Sequence, residues 1–278
     1  MPVGPWEALA YDINASGRQF MLGEYLLVAP VTTPLSCGTG PTQANQHLSN
    51  CSTGSATTAL WLPGASDQWL PAFNNSPPLP STQYPGIVHV SSTLGQVPVY
   101  AKRGAVLPTL PYASGIKHGS ASRAFDPLTW VVYGPEASGG AGHGIEDDGL
   151  TTDTASVTLE MHYVVAGDCV NMTATATGDY FGAPSTRRYS LRVVQPDLAC
   201  GAGKQITDST RWEARLTVFG ARNIALEQLQ DCASAIRTGE SLSQSGWCAD
   251  KESGELFVLM PRVLASEEVS ASVCGLCA

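Results

Sequence analysis

The sequence is poor in charge, in helical periodicity and in long apolar runs, and each shortage excludes something. Charged residues make up 14% of the 278 residues, and Lys plus Arg (15) fall short of Asp plus Glu (24), for a net charge of −9. A nucleic-acid surface needs clustered Lys and Arg, which this balance does not supply. No stretch approaches the ~20 consecutive apolar residues of a membrane helix. The longest apolar stretches, such as Tyr25 to Val31, are strand-sized. Neither a G-x-S-x-G elbow nor a G-x-G-x-x-G turn occurs, so a hydrolase nucleophile of that type and a dinucleotide site lack local support. No cofactor is expected. The N-terminus has no basic start and no apolar segment, and carries Glu7 and Asp12, so it does not read as a signal peptide.

What is present points to strands in an oxidising compartment. Val157, Leu159, Met161 and Tyr163 alternate with Thr158, Glu160 and His162; Tyr189, Leu191 and Val193 alternate with Arg188, Ser190 and Arg192; Trp212, Ala214, Leu216 and Val218 alternate with polar residues. This period of two marks strands with one buried face. The runs LLVAPV, ALWLP, VPVYA and LTWVVY read as more fully buried strands, and the 28 Gly and 19 Pro provide turns between them. One segment, 224–236, allows a helix without fitting either period well. Loops are expected at 33–58, 73–85 and 135–144, the last as a domain boundary. The fold class is therefore all-β, and the length accommodates two β-sandwiches.

Eight cysteines and the sequons at Asn14, Asn50, Asn74 and Asn171 suit a secreted, glycosylated protein. The Asn74 sequon is weakened by Pro77. Disulfides are expected between Cys37 and Cys51, which bound one Ser/Thr-rich loop, and between Cys232 and Cys248. A secretory composition without a leader leads to the expectation that the native N-terminus lies upstream and that the protein occupies the secretory pathway, extracellular space or a lumen such as the lysosome or endoplasmic reticulum.

Four ordered segments carry a family resemblance. They are QFMLGEYLLVAPV (19–31), ALWLPGASDQW (59–69), VPVYAKRGAVLP (97–108) and PLTWVVYG followed by EDDGLT (127–151). Their order and spacing resemble the C-terminal end of glycoside hydrolase family 31, the α-glucosidase type. A Cys-containing insertion follows Val31, and Ile145 stands where the family usually has an aromatic before EDD. The resemblance implies residues 1–26 as the trailing edge of a (β/α)8 catalytic barrel, 27–135 as a proximal β-sandwich and 136–278 as a distal one. It also implies that Phe20, Met21 and Leu22 face the barrel and, without it, form an exposed apolar patch or fold back locally. Motif residues have fold reasons too. Gly104, after Lys102 and Arg103, suits a positive φ at a strand end; Pro108 is expected to stop ladder pairing; and Asp148-Gly149 reads as a hairpin turn with Glu146 and Asp147 exposed at its shoulder.

Family members of this kind retain anomeric configuration through two carboxylates, a nucleophile and an acid/base. The nucleophile motif that the resemblance calls for is absent. Asp12, in Tyr11-Asp12-Ile13-Asn14, has Ala15 where a Glu is wanted and reads as a surface turn residue. The acids Glu146, Asp147 and Asp148 lack the ligand spacing of a calcium loop. Cys274-Gly-Leu-Cys277 ends the chain with no helix to follow, so structural disulfides are the better reading. His143, between glycines, reads as a solvated loop residue. Trp69 and Trp247 could stack on sugars but are more often core residues. No catalytic, substrate-binding or metal residue is assigned. The expected function is the non-catalytic C-terminal part of a retaining α-glycosidase, whose partner is its own catalytic barrel and whose carbohydrate substrate is met only by the full enzyme. The rival readings are a carbohydrate-binding or adhesion module, and a catalytically inactive family member with a structural role.

Overall fold

A computed structural model describes residues 11–12, 17–35, 54–63, 69–73, 76, 79, 86–110, 125–150, 155–195, 213–218, 224–229, 245–250 and 255–276. Among these residues every regular element is a strand or a single turn, and the chain divides into two compact units, Met1–Arg103 and Gly104–Ala278.

The first unit contains β1 (Phe20–Leu22), β2 (Leu26–Val28), β3 (Ser55–Leu62), β4 (Trp69–Pro71), β5 (Gly86–Thr93) and β6 (Val99–Lys102). A four-stranded antiparallel sheet runs β1-β2-β6-β4, and β3 pairs with β5 in a second, two-stranded one. The alternation of β3 and β5 turns Leu60, Leu62, Val88 and Val90 onto Leu27, Ala29, Trp69 and Tyr100 of the other sheet, giving one small core. Strand β1 lies at the sheet edge. Its Phe20, Met21 and Leu22 are 52%, 41% and 59% exposed, so the strand adds pairing but no side chain to that core. Gln19 ties the start of β1 to β3: its side-chain amide donates to Trp61 O at 2.6 Å and accepts from Trp61 N at 2.8 Å.

The second unit holds β7 (Val106–Thr109), β8 (Leu128–Tyr133), β9 (Gly140–Glu146), β10 (Val157–Ala166), β11 (Cys169–Gly178), β12 (Thr186–Val194), β13 (Glu213–Val218), β14 (Ile224–Ala225), β15 (Gly246–Asp250), β16 (Glu255–Leu264) and β17 (Val269–Cys274). Two sheets, ordered β14-β13-β17-β11-β10-β9 and β15-β16-β12-β8-β7, pack face to face as a β-sandwich. The second is mixed, because β8 and β12 run parallel. Leu159, Met161, Tyr163, Val170 and Met172 of one sheet meet Trp130, Tyr189, Leu191, Leu256 and Val258 of the other. Since β7 and β8 pair into this sandwich, the glycine-rich stretch 135–144 lies within the second unit, and its end is strand β9.

Several local expectations change on inspection. Residues 224–229 contain a two-residue strand and a bridge to Trp247 in place of a helix; the rest of 224–236 lies outside the described residues. Ser55 to Thr58 belongs to a strand, not a loop. Pro108 does not end the ladder: pairing continues through Thr109 with Thr129, which a proline tolerates because β7 is an edge strand. Gly104 does take a positive φ, +80°, in the turn between β6 and β7.

Glycines at alternate positions explain how β9 reaches β7. Gly140, Gly142 and Gly144 share one face of β9, and a Cβ at Gly142 would lie 2.2 Å from the carbonyl oxygen of Val106. That neighbour is backbone and cannot swing aside. We expect Gly142→Ala to lower stability by at least about 2 kcal/mol, at the upper part of the usual overpacking range. The exposed control Ala141→Ser should stay within about 0.5 kcal/mol. Chemical denaturation midpoints of the two variants give the comparison, and equal midpoints would rule out this close packing.

Candidate functional site

The densest polar constellation among the described residues lies where β9 ends and β12 begins. Glu146 is the last residue of β9 and has the same inward parity as Gly142 and Gly144. Arg187, second in β12, has the same parity as Tyr189, Leu191 and Val193. Both are carried into the sandwich by their strands. Arg187 Nη2 meets Glu146 Oε2 at 2.5 Å, with the side chains 0% and 1% exposed. The turn expected to expose Glu146 therefore buries it, because the outward positions begin only at Asp147.

Backbone and hydroxyl groups complete the pair. Phe125 N donates to Glu146 Oε1 at 2.5 Å, Arg187 Nη1 donates to the Phe125 carbonyl, and the Tyr180 hydroxyl donates to Glu146 Oε1 at 3.1 Å. The entrance to β8 is thus fastened to both β9 and β12. Next to it, Asp126 accepts from Arg188 N at 3.0 Å and pairs with Arg262. Burial raises the Tyr180 hydroxyl to about 12, assisted by the negative charge of Glu146 and the hydrogen bond to it. Burial also raises Tyr189, whose hydroxyl has no hydrogen-bond partner among the described residues.

This arrangement suits a fastening more than a reacting centre. Glu146 spends its oxygens on a guanidinium, an amide and a phenol. Asp147 and Asp148 use their carboxylates on their own turn, accepting from Gly149 N at 2.9 Å and Leu150 N at 3.0 Å. Retaining hydrolysis needs a carboxyl pair ~5–5.5 Å apart, one ionised and one protonated, shielded from water. Among the described residues this cluster offers one buried, paired carboxylate, the exposed Asp147 and the half-buried Asp148. Asp12 is exposed. No group of three His, Cys, Asp or Glu side chains among the described residues is placed to hold a metal ion.

The other sequence candidates fall as follows. Trp69 and Trp247 are buried, 4% and 5% exposed, and the Trp69 indole donates to Pro63 O at 3.3 Å. Neither offers a ring face to a sugar. His143 is exposed on strand β9, opposite Glu160. Cys274 is bonded to Cys169, so it does not form a dithiol with Cys277. Cys248 is disulfide-bonded to a partner outside the described residues. Cys37, Cys51, Cys232, Asn14, Asn50 and Asn74 also lie outside them. Asn171 lies on β11, half-buried. Sequence reasoning missed Arg187, although its parity with Tyr189, Leu191 and Val193 was a usable signal.

Residues 8–107 match the model of the glycosyl hydrolase family 31 C-terminal domain. No curated protein sequence matches the chain. Among solved structures, a family 31 dextranase of Flavobacterium johnsoniae complexed with glucose is similar over 93% of this chain, with a TM-score of 0.60 and 16% identity. An α-1,4-glucan lyase of Gracilariopsis lemaneiformis is similar over 93%, with a TM-score of 0.59 and 18% identity. The glucosidase II α subunit is similar over 93%, with a TM-score of 0.53 and 15% identity. The chain spans 27%, 23% and 24% of the length of these three structures.

Proposed function

We propose, from the premise that residues 8–107 carry a glycosyl hydrolase family 31 C-terminal domain, that this chain is the non-catalytic C-terminal part of a retaining α-glycosidase acting on α-glucosides. In this reading residues 1–26 are the trailing edge of the barrel, the rest of the first unit is the proximal sandwich and the second unit the distal one, with the division at Arg103/Gly104 and not at residue 135; together they brace a catalytic barrel that supplies both carboxylates. The protein belongs to the secretory pathway, a reading supported by the Cys169–Cys274 disulfide.

The observation that carries the reading is the edge strand β1. Three consecutive large apolar side chains, Phe20, Met21 and Leu22, are exposed beside a paired and otherwise ordinary sheet. A soluble surface seldom shows such a run, and a covering partner is the usual reason. The position matches the place where the family resemblance puts the barrel, immediately before the first sandwich strands.

Residues 1–278 alone should not turn over an aryl α-glucoside. Glu146 is fully engaged, and Asp12, Asp147 and Asp148 lack the preorganised, water-poor setting from which such rates come. Release of the aryl group is the readout. Turnover that survives purification and disappears in Asp12→Asn or Asp148→Asn would overturn the proposal and make one of those acids catalytic.

A further inference from the structure

The outward face of the six-stranded sheet in the second unit holds a modification site with favourable chemistry. Asn171-Met172-Thr173 has the Asn-x-Thr pattern of an N-glycosylation acceptor. On β11 the alternation sends Met172 into the core and leaves Asn171 and Thr173 half-exposed on the outer face. Ser272 stands directly opposite Asn171 on β17, and its hydroxyl donates to Asn171 Oδ1 at 2.7 Å. The oxygen of the amide is thereby held against the sheet, while Nδ2, the atom that glycosylation modifies, has no hydrogen-bond partner among the described residues. Around it lie small hydroxyl groups, with Thr173 and Ser270 3.0 Å apart, and the exposed Val164 across the ladder on β10.

We propose that Asn171 carries an N-linked glycan over this face. In the step, a bond forms between Nδ2 and C1 of an oligosaccharide held on a polyprenyl diphosphate. The C1–O bond to the diphosphate breaks, the lipid diphosphate leaves with the electron pair, and the amide loses one proton to base. This inference goes beyond the brace reading and does not rest on it, since it needs a secretory route and no barrel.

The fold also sets the order of events. Strand β11 is interior, paired with β10 on one side and β17 on the other, and Asn171 faces Val164 and Ser272 in those two ladders. A transferase cannot grip a strand engaged on both edges. Transfer therefore precedes docking of β17, which lies about a hundred residues downstream and is closed onto β11 by the Cys169–Cys274 bond.

The test is to secrete the full chain, behind a leader, from a eukaryotic host and release glycans with peptide N-glycosidase in heavy-oxygen water. Peptide mass spectrometry then reads residue 171. We expect it as labelled Asp, abolished by Thr173→Ala and kept by Thr173→Ser, with the Cys169–Cys274 bond intact in each secreted protein as the check on folding. The paired variant Cys169→Ser/Cys274→Ser should show occupancy equal to or above that of the parent. Unlabelled Asn171 in secreted, disulfide-bonded parent protein would overturn the assignment, as would a label that survives Thr173→Ala. Lower occupancy in the paired cysteine variant would overturn the proposed order.

Discussion

Replacing Glu146 with Gln should cost the second unit about 3–5 kcal/mol, the range for a buried ion pair that loses one partner. The loss does not come from a missing contact, since Gln can still accept from Phe125 N and the Tyr180 hydroxyl. It comes from Arg187, whose guanidinium is 0% exposed and would keep a full charge with no counter-ion. Arg187→Met should also destabilise, leaving the carboxylate buried on two neutral donors. The double variant should be closer to the parent than the sum of the two predicts, because a buried pair is expensive to split and often close to neutral to remove as a unit. Denaturant unfolding of the four proteins closes the cycle. Additive effects would mean that the two charges do not depend on one another. The phenol supplies an independent signal. Tyr180 titrates at about 12 in the fold against a usual value near 10, so the fold is favoured up to pH 10 and loses this contribution as pH rises from 10 to 12. In Glu146→Gln the carboxylate's share of that shift disappears, and the tyrosinate absorbance of Tyr180 should emerge at lower pH.

Which parts of this molecule are legible in sequence depends on what lies on each side of a strand. Strand β10 reads directly: Val157, Leu159, Met161 and Tyr163 are buried and Glu160 and His162 are exposed, as an outward-facing sheet demands. Strand β12 has the same period but not the same meaning. Its second face is covered as well, so Ser190 and Val194 are buried, and Arg192 pairs with Glu255 while lying over the Phe257 ring at 5.9 Å. A charged residue in such a strand looks solvent-facing until its partner is known, and here the partners are 41 and 63 residues away. Parity was the better guide, since it places Arg187 and Glu146 inward whatever their charge. The glycines of β9 were misleading for a related reason. A run of Gly suggests a loop, yet Gly140, Gly142 and Gly144 alternate because the backbone of Gly104, the backbone of Val106 and the ring of Pro108 take the place of their side chains. The exposed β1 edge was legible from the family resemblance alone; nothing in FML by itself distinguishes a partner-facing strand from a buried one.

Removing the Cys169–Cys274 disulfide should have an effect of similar size, by a different route. The bond joins the first residue of β11 to the last of β17, with a sequence separation of 105. Loop-closure entropy for a loop of about 100 residues amounts to roughly 4.7 kcal/mol, an upper figure that native strain and residual structure usually reduce. We expect Cys169→Ala/Cys274→Ala to lose about 3–4 kcal/mol while leaving the folded structure in place. The pairing on both sides of the bond supports that last point. Val170 stays opposite Val273, Leu276 N still donates to Asp168 O at 3.1 Å, and Met172, Ala271 and Val273 remain in the core. Near-UV circular dichroism should therefore match the parent under native conditions, with the denaturation midpoint shifted down. Reduction of the parent is a poorer test, because Cys248 is disulfide-bonded as well and would open in the same experiment. A double variant with an unchanged midpoint would mean that the unfolded chain already holds β11 and β17 together. A double variant that loses its near-UV signal would mean that the bond positions the strands in the native state, and the stabilisation would then belong to the fold and not to the chain's lost freedom.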